Sequence, residues 1–536
     1  MPPLIEEIPP PVSPLSQETL PLTVSPSVAA PASHRSPAQD ADWLAQTELQ
    51  EQELEEQSVL EEITVPPGNG EVVREIVVRY VDRDGQPSSG QTRDFIITRE
   101  FEQQVGEVYD PERARANLEQ VIDLTAIQDA NLTLEPTDDP NEVVMVVTVV
   151  ESSAIALLGG TQFVRPWVLR GISLPRPTST SPARLTGLQL PASVQWRNIG
   201  GNDQTLTFGL LAGDEAGGID LTFADPWIGE ASNQIGYAVN INWLGYLSPN
   251  FNGGEGDVAL PNTNEDFWEH RVGGGIQLMQ QLTPELGWAG GLSYQLVSVR
   301  NSMFSDRVFT EDEFGNALVL SDDGTDTLLT ANVALSFDQR NDLLFPTNGS
   351  RLQFAIDQSI PVGDASIFYT RPMANFTQFI PMSFIQVRDT PSTLIFNIQG
   401  GSLLGDVPPY EAFVLGGSGS VRGYGAGEVA SSQTFLQTSA EYRVPFASVR
   451  WGRGFFQDFL GEEMLFAGSV FFDYATGFGT QSFVTGEPGV VREKPGDGFG
   501  YGIGLLTTSD LGLVRLELGI NDAGDTAVYF NVGDRF

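Results

Sequence analysis

The sequence predicts an all-β barrel of about sixteen antiparallel strands crossing a membrane, preceded by a small α+β domain. Three observations predict it. From about residue 185 onward, segment after segment alternates apolar and polar residues with a period of two, and the polar face repeatedly carries full charges. Charged residues make up only 18% of a 536-residue chain that holds 57 glycines and 32 phenylalanines, yet no apolar run is long enough for a membrane helix. The same alternation runs to the last residue, Phe536.

Composition narrows the function classes. There are 28 Lys+Arg against 70 Asp+Glu, a formal charge of −42. Nucleic acid is not expected as a partner, because its phosphates would be repelled at close range. Lys494 is the only lysine. The absence of cysteine excludes disulfides, thiolate metal sites and cysteine nucleophiles, and suits a chain that crosses an oxidising periplasm. The N-terminal MPPLIEEIPPP has no basic region of the kind that opens a secretory leader, so the chain is expected to be mature, truncated or started at a wrong codon.

Residues 1–66 read as a tether. Residues 1–40 hold ten prolines, which deny a regular hydrogen-bond ladder. Residues 41–63 are rich in glutamate without a basic residue, and form either a short acidic helix or a solvated segment. A small α+β domain is expected over 67–155. VVREIVVRY (72–80) reads as a strand. Thr98 is expected to cap a helix carrying Phe101 and Val105 and ending at Gly106. Asp110-Pro111 starts a second helix, on which Ala114, Leu118 and Val121 share a face. NLTLEP, the turn TDDPN and EVVMVVTVVE then form a hairpin. The order β-α-α-β-β resembles a POTRA (polypeptide-transport-associated) domain.

Residues 156–190 are expected to be a linker holding the first barrel strand, with FVRPWVLR and ARLTGLQL as candidates. The barrel follows over 191–536. Its segments lie near 192–199, 203–212, 217–225, 233–243, 269–281, 285–300, 327–340, 350–360, 366–379, 392–402, 434–444, 464–474, 499–507, 512–520 and 527–536. In Thr434–Val444, for example, Leu436, Thr438, Ala440, Tyr442 and Val444 alternate with Gln437, Ser439, Glu441 and Arg443. A soluble sandwich keeps its inward face apolar. Large charges on strand after strand suit a wet lumen, with the apolar face toward lipid.

Two separated segments carry the strongest functional signal: the glycine-rich loop LGGSGSVRGYGAGE (415–428) and the strand MLFAGSVFFDYATG (464–477) with its single aspartate. With DLTFADPWIG (220–229), LSFDQRNDLLFPTNGSRLQF (335–354), VRGY (421–424) and FFDYATGFG (471–479) in that order, the chain resembles the outer-membrane assembly and translocation superfamily. That group includes BamA-like insertases and two-partner-secretion translocators. The tail from Lys494 is similar to the cyanobacterial and chloroplast-envelope branch.

The resemblance implies that Arg422, in a loop over 403–433, reaches into the lumen and pairs with Asp473. Val421, Gly419, Gly423 and Tyr424 would shape the loop tip, and Gly500, Gly502 and Gly504 would clear a path for it. Exchanging the two charges would then partly restore the pair. The C-terminal strand, with Val528, Phe530, Val532 and Phe536 on one face, would form one side of a lateral seam. DPW and FPTNG read as structural: an interfacial tryptophan beside a turn, and a turn.

No catalytic constellation is legible, since His34 and His270 are the only histidines and neither a nucleophile elbow nor a phosphate loop is present. The chain is expected not to be an enzyme and to need no cofactor or metal. The resemblance implies an outer-membrane insertase for β-barrel proteins in a Gram-negative, cyanobacterial-type envelope, with its N-terminal part in the periplasm. Its partners would be unfolded outer-membrane or secreted β-rich polypeptides, membrane lipid and accessory subunits. The alternatives are a two-partner-secretion translocator exporting a β-helical exoprotein, and a passive solute pore.

Overall fold

The small unit is built around its central strand, which buries one whole face and part of the other. In the computed structural model, Glu142–Glu151 (β3) lies between Val72–Val81 (β1), to which it is parallel, and Ile127–Pro136 (β2), to which it is antiparallel. That central position explains its continuous apolar run: Val143, Met145, Val146, Val147 and Val149 are all buried. The structure describes residues 65–159, 167–169, 172–174, 189–228, 234–263, 265–387, 390–450, 463–478, 484–509 and 512–536. All but the last two residues of the expected tether, including its acidic segment, lie outside the described residues.

Helix Pro111–Ile122 (α2) starts as its sequence dictates. Asp110 accepts from the backbone amides of Glu112 (3.0 Å) and Arg113 (3.3 Å), and Pro111 opens the first turn. Ala114, Leu118 and Val121 join a core with Met145 and Val147. The helix expected after Thr98 differs. Helix Asp94–Thr98 (α1) ends there instead, burying Ile96 and Ile97. Phe101 is buried in the following turn, while Val105 stays exposed. The apolar triplet 95–97 has already filled the core, so Phe101 and Val105 never share a helical face.

The barrel strands are Ile155–Gly159 (β4), Gln189–Ile199 (β5), Gln204–Gly213 (β6), Ala216–Asp225 (β7), Ile235–Leu247 (β8), Trp268–Gln281 (β9), Leu286–Arg300 (β10) and Thr325–Asp338 (β11). They continue with Gly349–Ile360 (β12), Tyr369–Val387 (β13), Thr390–Ser402 (β14), Thr434–Arg450 (β15), Glu463–Phe478 (β16), Asp497–Thr507 (β17), Val514–Asn521 (β18) and Thr526–Val532 (β19). Among the described residues the strand order contains eighteen members; two are two-residue fragments, which leaves sixteen full strands. Successive long strands share antiparallel registers from β4 through to β19. β4 and β19 meet at the seam of this order. They are its two shortest full strands, five and seven residues long.

The first strand is a correction to the sequence reading. It is Ile155–Gly159, which directly follows β3 and straddles the expected end of the small domain. FVRPWVLR instead contributes Trp167–Leu169 to a separate two-stranded hairpin with Ile172–Leu174, and most of ARLTGLQL lies outside the described residues. A five-residue strand offers too few repeats for a period-two pattern to register.

The two faces of the barrel are chemically opposite. Outward positions such as Val333, Ile356, Ile398, Val470 and Leu516 are exposed, and inward ones such as Asp357, Gln437, Glu441, Asp473 and Glu517 are enclosed. The inner side chains of Gln277, Asn332 and Ser336 have no protein partner for their buried polar atoms, which fits a polar interior rather than a dry sandwich core.

The small unit docks on the near end of the barrel. Asp203, held at φ +59° in the β5–β6 turn, accepts from Thr125 Oγ1 (2.5 Å) and the Ala126 amide (2.8 Å). Asn198 donates to Thr92 Oγ1 (2.8 Å), and the Arg93 amide to Gly201 O (3.0 Å). The Trp of the DPW motif belongs here, not in a lipid belt. Trp227 is buried beneath the Arg99 guanidinium, 4.5 Å from its ring centre, and its carbonyl accepts from Arg99 Nη1 at 3.3 Å.

At the far end, loops pack over the mouth. Phe251, Leu260, Phe267, Phe309, Leu318 and Tyr410 form one apolar cluster there. Lys494 Nζ donates to Pro249 O (2.7 Å), Asn250 O (3.2 Å) and Ser431 Oγ (3.0 Å), stitching three loops together. Its burial pushes the ammonium pKa well down, and nearby Arg492 adds to the effect.

Candidate functional site

The 403–433 segment leaves β14, folds into the lumen and returns to β15. Its glycines have distinct tasks. Gly416, Gly417, Gly423 and Gly427 adopt positive φ, which the tight reversals require. Gly419 does not; its carbonyl accepts from Gln437 Nε2 at 3.2 Å. Val421 is fully buried with Leu415, Tyr424, Val429 and Ala475. The Tyr424 hydroxyl donates to Asp522, and its carbonyl accepts from Tyr529 at 2.6 Å.

At the tip, Arg422 and Asp473 come together in full enclosure. Nε donates to Asp473 Oδ2 at 2.8 Å, Nη2 to Oδ1 at 3.0 Å, and the Arg422 backbone amide adds a third bond at 3.2 Å. This is the planar two-pronged geometry that suits guanidinium and carboxylate. The guanidinium also lies 3.3 Å from the centre of the Phe471 ring.

The pair is part of a larger cluster. Arg422 Nη1 donates to Glu441 Oε2 at 2.8 Å and to Glu517 Oε1 at 2.5 Å. Glu441 also holds Arg443 (2.8 Å), Glu517 holds Arg515 (3.3 Å), and Asp473 holds Arg535 (2.9 Å). Asp534 completes it, accepting from Arg443 at 2.9 Å. Four carboxylates face four guanidiniums, so the buried cluster is charge-balanced. Burial alone would lower the Arg422 pKa, but Asp473 and then Glu441 more than offset that and raise it. The arginine is a fixed positive charge, suited to holding a loop and unsuited to moving a proton.

Missing side chains admit the tip. A Cβ on Gly500 would stand 1.8 Å from the Arg422 carbonyl oxygen, and one on Gly519 would stand 2.5 Å from the Gly423 amide. Gly502 and Gly504 differ from expectation. Their Cβ positions meet Leu518 O and Ser469 Oγ, so they clear neighbouring strands rather than the loop.

The expected seam face divides. Val528 and Phe530 point outward and are exposed, while Val532 is half-buried. Phe536 does not share their face. Gly533, at φ +113°, ends the strand and turns the chain inward. Phe536 is then buried against Phe379 and Ile395, and its carbonyl accepts from Arg351. Once β19 stops at Val532, the period-two pattern no longer assigns sides.

Sequence reasoning placed Glu441, Arg443, Arg515 and Glu517 on polar strand faces without linking them to Arg422, and it missed Arg535. The link is cross-strand register: Ser439 sits opposite Asp473, which brings Glu441 close to the same depth. That pairing is not written in either strand alone. Among the described residues, no group of three or more histidines or carboxylates is arranged to hold a metal ion.

Residues 198–536 match the Omp85 superfamily domain. Outer envelope protein 80, chloroplastic, of Arabidopsis thaliana is 25% identical over 86% of this chain; the chain spans 57% of that relative's length. Among solved structures, BamA from Haemophilus ducreyi lacking POTRA domains 1–3 superposes with a TM-score of 0.55 at 15% identity, covering 86% of this chain and 84% of the other. CdiB from Escherichia coli superposes with a TM-score of 0.54 at 12% identity, covering 86% and 76%. These likenesses concern the fold. Motif order, a sixteen-strand barrel behind a POTRA-like unit and the loop drawn into the lumen agree with the sequence match: the chain belongs to the Omp85 superfamily of outer-membrane β-barrel proteins.

Proposed function

We propose that the protein inserts β-barrel proteins into an outer membrane of a Gram-negative, cyanobacterial-type envelope, with the small unit in the periplasm. It works without catalytic chemistry, nucleotide or cofactor. The observation that carries this reading is the seam. β19 is seven residues long and β4 has five, whereas β9–β16 have 12–19. A membrane strand needs about 9–11 residues. Two short strands meeting at one place make the weakest part of the wall, and an edge that opens into lipid templates a new strand.

The small unit supplies a receiving edge. β2 lies at the margin of the sheet, so an extended client can add to it by backbone hydrogen bonds that ignore client sequence. The packed far mouth favours sideways release over passage straight through, which argues against a passive pore. A two-partner-secretion translocator is the second reading, favoured by the CdiB-like fold. Clients and accessory subunits would be β-rich polypeptides and periplasmic or membrane partners.

The test is reconstitution in liposomes with an unfolded barrel client. Faster client insertion than into empty liposomes is expected. Unchanged insertion, with export of a β-helical protein instead, overturns the reading in favour of the translocator.

A further inference from the structure

The loop that carries Arg422 is fastened a second time, eleven residues earlier and on a different part of the wall. Pro409–Glu411 forms a single 3-10 turn whose residues are all buried. Glu411 Oε1 accepts from Arg271 Nη2 at 2.9 Å, and Oε2 accepts from Arg371 Nη1 at 2.6 Å. Each arginine also keeps a carboxylate on its own or the adjacent strand. Arg271 Nε donates to Glu269 at 2.6 Å, and Arg371 Nε and Nη2 donate to Asp357 Oδ2 at 2.9 and 2.7 Å. Tyr410 strengthens the root, donating to Asp326 Oδ2 at 2.8 Å and accepting at its carbonyl from Asn250 at 2.9 Å.

The two fastenings use separate strands. The root is held from β9, β11 and β13, with Asp357 of β12 steadying Arg371, and the tip from β15, β16 and β18. Between them lie Gly416 and Gly417, at φ +108° and +87°. Adjacent glycines there allow the backbone to change course without the cost a Cβ would add.

We propose that Glu411 is a positioning residue, the fixed anchor about which the loop tip swings when Arg422 is released. Loss of the Arg422 cluster then frees residues 415–428 while the root stays seated. The loop remains tied to the stable wall even when the strands beside the seam separate. The proposal rests on loop geometry alone, so its test stands apart from any measurement of client insertion.

The cysteine-free chain makes the test clean. Two single-cysteine reporters are introduced into the full-length protein in proteoliposomes: Ser418→Cys at the half-buried tip and Ala412→Cys beside the buried root. Labelling by a water-soluble maleimide is followed, and heat-modifiable gel mobility reports that the barrel has folded. In the Arg422→Ala background, Ser418→Cys labelling is expected to rise about tenfold while Ala412→Cys stays protected, as a local opening should behave. Adding Glu411→Gln is expected to raise Ala412→Cys labelling about tenfold as well.

Glu411→Gln leaves Arg271 and Arg371 their strand carboxylates, so the barrel is expected to fold. If it does not reach the folded mobility, Glu411→Asp serves, with its shorter reach giving intermediate labelling. Equal exposure of Ala412→Cys in Arg422→Ala with and without the Glu411 change overturns the anchor. So does uniform loosening that also exposes Thr207→Cys, buried on the inner face of β6, a strand that holds neither fastening.

Discussion

The wall from β9 to β16 and the seam between β4 and β19 follow the same alternating pattern, yet they are built to different tolerances. Wall strands run 12–19 residues and are registered to both neighbours over most of their length. β19 has seven residues and its neighbour across the seam, β4, has five. At about 3.3 Å per residue, seven residues reach roughly 23 Å before any tilt, less than the apolar band of about 25 Å. Alternation sets which side of a strand meets lipid. Length and register decide whether that strand is a permanent part of the cylinder.

The sharpest way to break this comparison is covalent. Cysteine pairs scanned between 155–159 and 526–532 are expected to abolish client insertion once oxidised and to restore it on reduction. A wall staple joining the directly paired Ile398 and Thr438 should leave insertion unchanged. Loss of activity from both staples, or from neither, would mean that the seam is not the moving part.

Next comes the ionic cluster. Arg422→Ala is expected to destabilise the seated loop by about 3–5 kcal/mol, because it unbalances an enclosed charge network. Denaturant unfolding and insertion assays would both register it. The charge exchange Arg422→Asp with Asp473→Arg, which an isolated pair would tolerate, is expected to fail. An aspartate at 422 would face Glu441 and Glu517, both now within 2.8 Å of the arginine. Rescue by the exchange would refute the cluster and restore the simple pair.

A smaller contrast lies on the lipid face. Ile398→Arg, on a long wall strand, is expected to cost about 2–4 kcal/mol, and Val528→Arg beside the seam about 0–1 kcal/mol, because charge is cheaper near a thin or interfacial region. Equal penalties in a folding titration would mean that lipid is as thick at the seam as at the wall. The smallest effect lies outside the membrane. Burial, helped by Asp110, pushes the Tyr109 phenol of the small unit up to about 12. Its ordinary value is near 10, so between those pH values the unfolded chain releases a proton that the folded unit keeps. Stability from this group is whole below pH 10 and falls as pH rises toward 12; Tyr109→Phe should flatten that limb of a pH–stability curve.

Much of this architecture was legible in the chain. Asp110-Pro111 announced α2 because its cap is local. The strand faces of 434–444 and 514–520 were legible because two-residue alternation needs only one strand to be read. Arg422 and Asp473 were reached through motif resemblance, and the structure sets them within bonding distance. The remainder depended on tertiary partners. Trp227 looked like a belt residue because nothing near it in sequence announces Arg99. Glu517, Arg535 and Glu411 act through side chains about 60 to 140 residues away. Phe536 kept the strand's periodicity on paper, while one glycine ended the strand before it.

Asp473 accepts from Arg422 and from Arg535 through the same oxygen, at 2.8 and 2.9 Å. Two cations that share an acceptor cannot have independent affinities for it. By thermodynamic reciprocity, whatever free energy the presence of one contributes to, or takes from, the seating of the other acts equally in reverse. The residues just past β19 and the tip of the long loop therefore report on each other's position without touching a client.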